Sequence, residues 1–152
     1  MMTGFLMLII GCSTTTPNQQ EQISTPQFIL YPIGKVVKND GRTWIVIDKK
    51  YQPGLLGLEK YSHITVLYWF DRNDTPQKRA VLQVHPRGDK NNPLTGVFGT
   101  HAPVRPNLIA ISRCKILAVK ENSIEVEEID ALPNSPVLDL KGDFFLYHKR
   151  KS

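Results

Sequence analysis

What most limits the fold of this chain is the shortness of its apolar runs. "TWIVID" from Thr43, "SHITVLYWF" from Ser62, "RAVLQVH" from Arg79, "LIAISRCKILAV" from Leu108, "SIEVEEI" from Ser123 and "FFLYHK" from Phe144 are β-branched or aromatic, and polar or turn residues interrupt them. Runs of this kind suit a pleated, half-buried surface and are too brief for packed helices. "KENS" at Lys120 reads as a tight hairpin turn and "KKYQPGLLG" at Lys49 as a longer loop. The one helix expected is a short run around Leu55 to Tyr61. Six strands at this spacing predict a mainly β protein, a small single-domain β-barrel or compact two-layer structure, and closure of the barrel would remove exposed edges.

A length of 152 residues suits a single core. The formal charge of +5 comes from scattered Lys and Arg, with one short cluster at His148 to Lys151. That balance is compatible with a polyanionic partner and does not require one. The N-terminus reads separately. Phe5 to Ile10 is an unbroken apolar run, too short to span a bilayer as a helix, and it stops at Gly11-Cys12 before a Thr-, Gln- and Pro-rich stretch. Ile9-Ile10-Gly11-Cys12 resembles a bacterial lipobox, in which cleavage precedes a cysteine that then carries lipid. The expected organisation is therefore a lipoprotein signal over residues 1–12, a flexible tether over 13–27 and a barrel domain over 28–152. Lipid on Cys12 would give membrane attachment; without it the expectation is a cytoplasmic protein.

With Cys12 set aside, Cys114 is the remaining thiol and has no partner for an internal disulfide. Its apolar neighbours predict a small buried residue. His63, His85, His101 and His148 share no metal-ligand spacing with carboxylates or thiols, so no metal is expected. The densest local chemistry lies in "GVFGTHAPVRPN", Gly96 to Asn107. Two glycines, two prolines, a histidine, an arginine and an asparagine exceed what a simple connection between strands requires.

Four blocks then carry a family resemblance: "PIGKV" at Pro32, "GLLGLEKYSHITVLYWF" at Gly54, "VHPRGDKNNPLTGVFGTHAPVRPN" at Val84 and "IDALPNSPVLDLK" at Ile129. In this order they resemble the TrmO family, also called TsaA-like or YaeB-like, of S-adenosylmethionine-dependent tRNA methyltransferases. The resemblance implies a small β-barrel, dimeric in the family. It further implies a methyl transfer to the exocyclic nitrogen of threonylcarbamoyl-adenosine beside the tRNA anticodon. S-adenosylmethionine is the implied cosubstrate, and Asp71, Arg72, His101, Arg105, Asn107, Ile111, Asp130, Ala131 and Leu132 are its expected contacts.

On that reading Pro103 and Pro106 stiffen the loop, Arg105 offers a fork for a carboxylate, and Asn107 offers both donor and acceptor. Gly96 and Gly99 would let main chain approach a ligand closely. The accepting nitrogen must lose a proton, and His63, His85, His101, Asp130 and Asp139 are the bases available by residue type. Members with "F-A-T-R" carry an arginine where this chain has His101, and the usual "R-P-N-P-I-G" is here "R-P-N-L-I-A". "F-H-Q" is replaced by Phe70-Asp71-Arg72. The alternative function is a non-catalytic extracytoplasmic lipoprotein that keeps the barrel and a pocket for a nucleoside-type ligand.

Overall fold

The computed structural model describes residues 26–143. Cys12, the lipobox and the expected strand at Phe144 lie outside the described residues.

The strands are β1 (Gly34–Asn39), β2 (Arg42–Ile47), β3 (His63–Trp69), β4 (Gln83–Val84), β5 (Thr95–Gly96), β6 (Ile109–Lys120), β7 (Ser123–Val126) and β8 (Pro136–Gly142). Six of them close a barrel in the order β1-β2-β7-β6-β3-β8, with β8 returning to β1, while β4 and β5 form a separate two-stranded ribbon. Every pairing is antiparallel. The mainly β barrel expected from the apolar runs is what forms.

Local chemistry accounts for the closure. Asp40 and Gly41 take φ of +47° and +72° between the paired Asn39 and Arg42, the positive-φ two-residue turn that suits strand twist. Glu121 and Asn122 turn the chain between Lys120 and Ser123 in the same two-residue way. Alternation then fills the interior: Ile45 and Ile47, Ile64 and Val66, Ile124 and Val126 are all buried, while their neighbours in sequence face outward.

Three expectations change. "RAVLQVH" is not a barrel strand. Thr75 caps a short helix α1 (Pro76–Arg79) by accepting the Lys78 N–H at 3.3 Å, and Pro76 occupies its first turn, so strand structure is confined to Gln83 and Val84. The helix expected at Leu55 to Tyr61 is a single 3-10 turn, Leu58–Lys60, entered through Gly57 at φ +84°. Conversely β1 and β8 complete the barrel although Gly, Lys, Pro and Asp break their apolar patterns. No helix among the described residues is long and apolar enough to cross a membrane.

Among the described glycines Gly34 has the least room, because a Cβ there would strike the Val46 carbonyl oxygen and come within 2.8 Å of the Ile47 Cα. Both are backbone atoms of β2 and cannot turn aside. Gly34→Ala is therefore expected to lower unfolding stability by about 2 kcal/mol or more, measured by urea denaturation. Unchanged stability would show that β1 and β2 do not approach this closely.

Candidate functional site

β3 lies between β6 and β8 in the barrel. The end of β3 pairs with the start of β6 through Trp69 and Ile109, and with the start of β8 through Tyr68 and Val137. The chain leaving β3, the loop entering β6 and the loop entering β8 consequently meet at one rim. They enclose a cavity of about 330 Å³.

The first wall follows β3. Phe70 packs edge-on against Tyr68 with ring centroids 5.7 Å apart, and its N–H donates to the Leu108 carbonyl at 2.9 Å. Asp71, Arg72 and Asn73 form a 3-10 turn, with all three facing the cavity. Arg72 also spans to the third wall, where its Nη2 donates to the Pro133 carbonyl at 3.2 Å.

The second wall is the "THAPVRPN" loop. Thr100 Oγ1 donates to the Val97 carbonyl and accepts the Ala102 N–H, and Arg105 Nη1 donates to the Thr100 carbonyl at 3.3 Å. That bond uses one of the five guanidinium donors. His101 and Pro103 complete this wall. The loop ends at Leu108, whose side chain is fully buried although its φ is +53°. A bulky residue in the left-handed region is strained by about 1–3 kcal/mol, and burial of this one fixes the loop's exit.

The third wall is "DALPNSP". Asn134, at φ +68°, donates its N–H to the Val36 carbonyl at 2.7 Å, and the Val36 N–H donates to the Ser135 carbonyl at 3.0 Å. Those two bonds tie this segment to β1. Ala131 is buried, and Asp130 and Leu132 are exposed at the mouth.

Eight of the nine expected contacts, all except Asn107, thus line one cavity. Asn107 is exposed at a turn outside it. Of the expected bases, His101 and Asp130 line the cavity. His63 begins β3 at its far end, roughly 17 Å of strand from Tyr68, and its Nδ1 lies 2.9 Å from Ser62 Oγ. His85 Nδ1 donates to the Asn92 carbonyl at 2.7 Å and also lies outside. Asp139 borders a different cavity and pairs with Lys141 at 2.8 Å. Gly96 and Gly99 do not line this cavity, and a Cβ on either would meet no protein atom nearer than 3.5 Å.

Sequence reasoning missed Tyr68, which sits in the cavity floor and is 3% exposed. Its alternation with Ile64 and Val66 marks it as inward-facing, and only the strand register puts it at the rim. Ser112 Oγ donates to the Tyr68 hydroxyl at 3.4 Å, which leaves the phenolic proton free to be donated. Burial raises the Tyr68 pKa; the Ser112 bond opposes this, and the Asp130 and Cys114 charges add to it. Tyr68 is therefore a hydrogen-bond donor rather than a base.

The described residues hold no group of three or more His, Cys, Asp and Glu side chains that could bind a metal. What the cavity offers is charge of both signs, Arg72 and Arg105 against Asp71 and Asp130, beside the apolar Phe70, Ile109, Ile111 and Leu132. Its size falls in the range of pockets for small organic ligands. A ligand with an acidic end, a cationic group and an apolar or aromatic body fits this arrangement.

The model of the tRNA-methyltransferase O N-terminal domain matches residues 26–147. The chain belongs to this family. Among relatives of this TrmO-family chain, the "Probable S-adenosyl-L-methionine-binding protein" of Methanocaldococcus jannaschii is 45% identical over 114 residues, 75% of this chain and 90% of the relative. The tRNA (adenine(37)-N6)-methyltransferase of Mus musculus is 37% identical over 138 residues, 91% of this chain and 29% of the mouse protein. Two structures of TrmO from Pseudomonas aeruginosa share the fold at 22% identity, with TM-scores of 0.61 and 0.59, covering 86% and 78% of this chain. This chain spans 60% and 56% of those structures.

Beneath the cavity, burial pushes the Cys114 thiol from 9.0 up to about 11; Asp130 adds to the rise and Lys38 opposes it. The folded state therefore holds the thiol proton more tightly than the unfolded chain does. Its contribution is fully present below pH 9 and is lost as pH rises towards 11. Urea unfolding from pH 8 to 11 should show stability falling by on the order of 1–3 kcal/mol, and Cys114→Ala should flatten part of that fall. A flat wild-type profile would contradict the buried, proton-bearing thiol.

Proposed function

We propose that this chain is an S-adenosylmethionine-dependent tRNA methyltransferase. Its acceptor, on this reading, is the exocyclic nitrogen of threonylcarbamoyl-adenosine next to the anticodon. The observation that carries the proposal is the cavity of mixed charge formed from the three motif loops. Membership of the TrmO family and the names of the relatives support it.

S-adenosylmethionine has a carboxylate, an ammonium, a sulfonium and an adenine ring, and the residues present fit those groups. Arg105 would hold the carboxylate through the donors that Thr100 leaves free. Asp71 and Asp130 would face the cationic groups, and Phe70, Ile109, Ile111 and Leu132 would shield the reacting atoms from water. When bound, the cosubstrate supplies an electrophilic methyl on a good leaving group, so alignment matters more than building a strong nucleophile. The acceptor proton is assigned to Asp130 or His101, the two candidate bases that line the cavity. Tyr68 donates from the floor.

The test combines calorimetry with mass spectrometry of nucleosides after incubation with S-adenosylmethionine and tRNA that carries or lacks the threonylcarbamoyl group. The account expects a methyl gain only on the modified tRNA. Arg105→Ala should weaken cosubstrate binding by about tenfold or more. Loss of a general base costs about 10²–10⁴ in rate, so Asp130→Asn or His101→Ala should show a loss of that size. His63→Ala and Asp139→Asn should stay close to wild type. No cosubstrate binding at millimolar concentration would remove the enzyme reading.

A homodimer is part of the proposal. Phe98 is 78% exposed, and Leu82 and Leu94 are also exposed around the β4–β5 ribbon, giving apolar surface for a second copy. Light scattering coupled to size exclusion should give twice the chain mass of 17.2 kDa; a monomer at tens of micromolar would overturn this part.

A further inference from the structure

In the loop carrying Arg105 the internal bonds gather at Thr100, ahead of the Pro103–Leu108 segment. Pro103 and Pro106 cannot donate, and Leu108 follows in a strained conformation at φ +53°. Two bonds from outside bracket that strain: Phe70 N–H donates to the Leu108 carbonyl at 2.9 Å, and Arg79 Nη1 donates to the Pro106 carbonyl at 2.7 Å.

Arg79 is itself held on two further sides. Its Nε donates to Asp74 Oδ1 at 2.7 Å, and its guanidinium lies 5.3 Å from the centre of the Trp69 ring. Asp74 Oδ2 accepts in turn from the Trp69 indole N–H at 3.3 Å. Trp69 is the last residue of β3 and pairs with Ile109, the first of β6. A short chain of contacts therefore runs from the barrel frame through Asp74 and Arg79 to the backbone carbonyl immediately after Arg105. The bond from Arg79 also holds the Asp74 carboxyl below its ordinary range. A planar fork that serves a carboxylate, a carbonyl and an aromatic face at once is a task for arginine and not for lysine.

We propose that Arg79, oriented by Asp74 and Trp69, is a positioning residue that sets the Pro103–Leu108 loop and, through it, the Arg105 guanidinium. It touches no ligand in this account. The inference rests on the proposed methyltransferase reading only for its ligand, because the loop's order is measurable in the free protein.

The experiment compares wild type, Arg79→Gln, Arg79→Lys and Arg105→Ala, alone and with Arg105→Ala combined with Arg79→Gln. Hydrogen exchange of the Phe70 amide, which donates to the Leu108 carbonyl, is read first in the ligand-free protein by nuclear magnetic resonance. Arg79→Gln should speed exchange there by about tenfold, the loss of one charged hydrogen bond, with exchange in β1 and β2 unchanged. Calorimetry with S-adenosylmethionine is read second. Arg79→Gln should weaken binding by about tenfold in the wild-type background and by less than about threefold once Arg105 is gone. Arg79→Lys should keep most of the thermal stability without restoring affinity.

Unaltered exchange of the Phe70 amide in Arg79→Gln would overturn the inference whatever binds. So would equal losses of affinity in both backgrounds, which would make Arg79 a separate contributor. Failure of the wild type to bind S-adenosylmethionine would sink the functional reading and leave the exchange result to decide this one. Should Arg79→Gln not fold, Asp74→Asn takes its place, with the same direction of change expected and the same results against it.

Discussion

The seating of β3 between β6 and β8 is the constraint from which the rest of the molecule follows. Seven residue pairs, His63 with Lys115 through Trp69 with Ile109, lock β3 to β6. A register shift between Leu67 and Tyr68 adjusts its pairing with β8. A bulge of this kind re-aims side chains at a barrel rim, and here it falls where Tyr68 meets the cavity floor. A slip of one residue would turn Tyr68 outward and bring Trp69 and His63 inward. The walls of the site are the segments that leave β3 and enter β6 and β8, three strands that lie side by side, so their meeting is a property of the barrel and not of any one loop.

The distribution of positive charge follows from the same geometry. The chain is basic, yet the cations near the site largely hold protein carbonyls. Arg72 reaches Pro133, Arg79 reaches Pro106, and Lys78 Nζ donates to the Arg72 carbonyl at 3.1 Å and to Asn73 Oδ1 at 2.9 Å. Arg72 thereby ties the first wall to the third, while Lys78 and Arg79 tie α1 to the first and second walls. Others are engaged at the surface, where Arg113 meets Asp143 and Lys115 meets Glu127; exposed pairs of this kind add little stability. Net charge is therefore a weak guide to how many cations this protein has left for a polyanionic partner.

How much of this was legible in the sequence depends on whether the signal was local. Turn residues and paired prolines announce themselves, so the "THAPVRPN" and "IDALPNSP" segments stood out. Strand ends do not. His63 and Asp130 are equally good bases by residue type, and only the register sets one at the far end of β3 and the other at the cavity mouth. Tyr68 was hidden for the same reason, as one more inward residue of an alternating strand. "RAVLQVH" misled because its β-branched pattern masked the capping threonine and proline just upstream. Strands β1 and β8 were obscured because Lys, Asn, Pro, Asp and Gly interrupt their apolar residues, and only the pairing with neighbouring strands shows that Val36 and Val137 enter the core.

The central claim is that three connections from β3, β6 and β8 close on a single ligand. Hydrogen exchange of the wild-type protein with and without saturating S-adenosylmethionine tests it most directly. The account requires slower exchange in all three segments, Phe70–Asn73, His101–Leu108 and Asp130–Ser135, with little change in β2 and β7. Protection limited to one segment, or appearing around Tyr51 and Tyr61 instead, would contradict it.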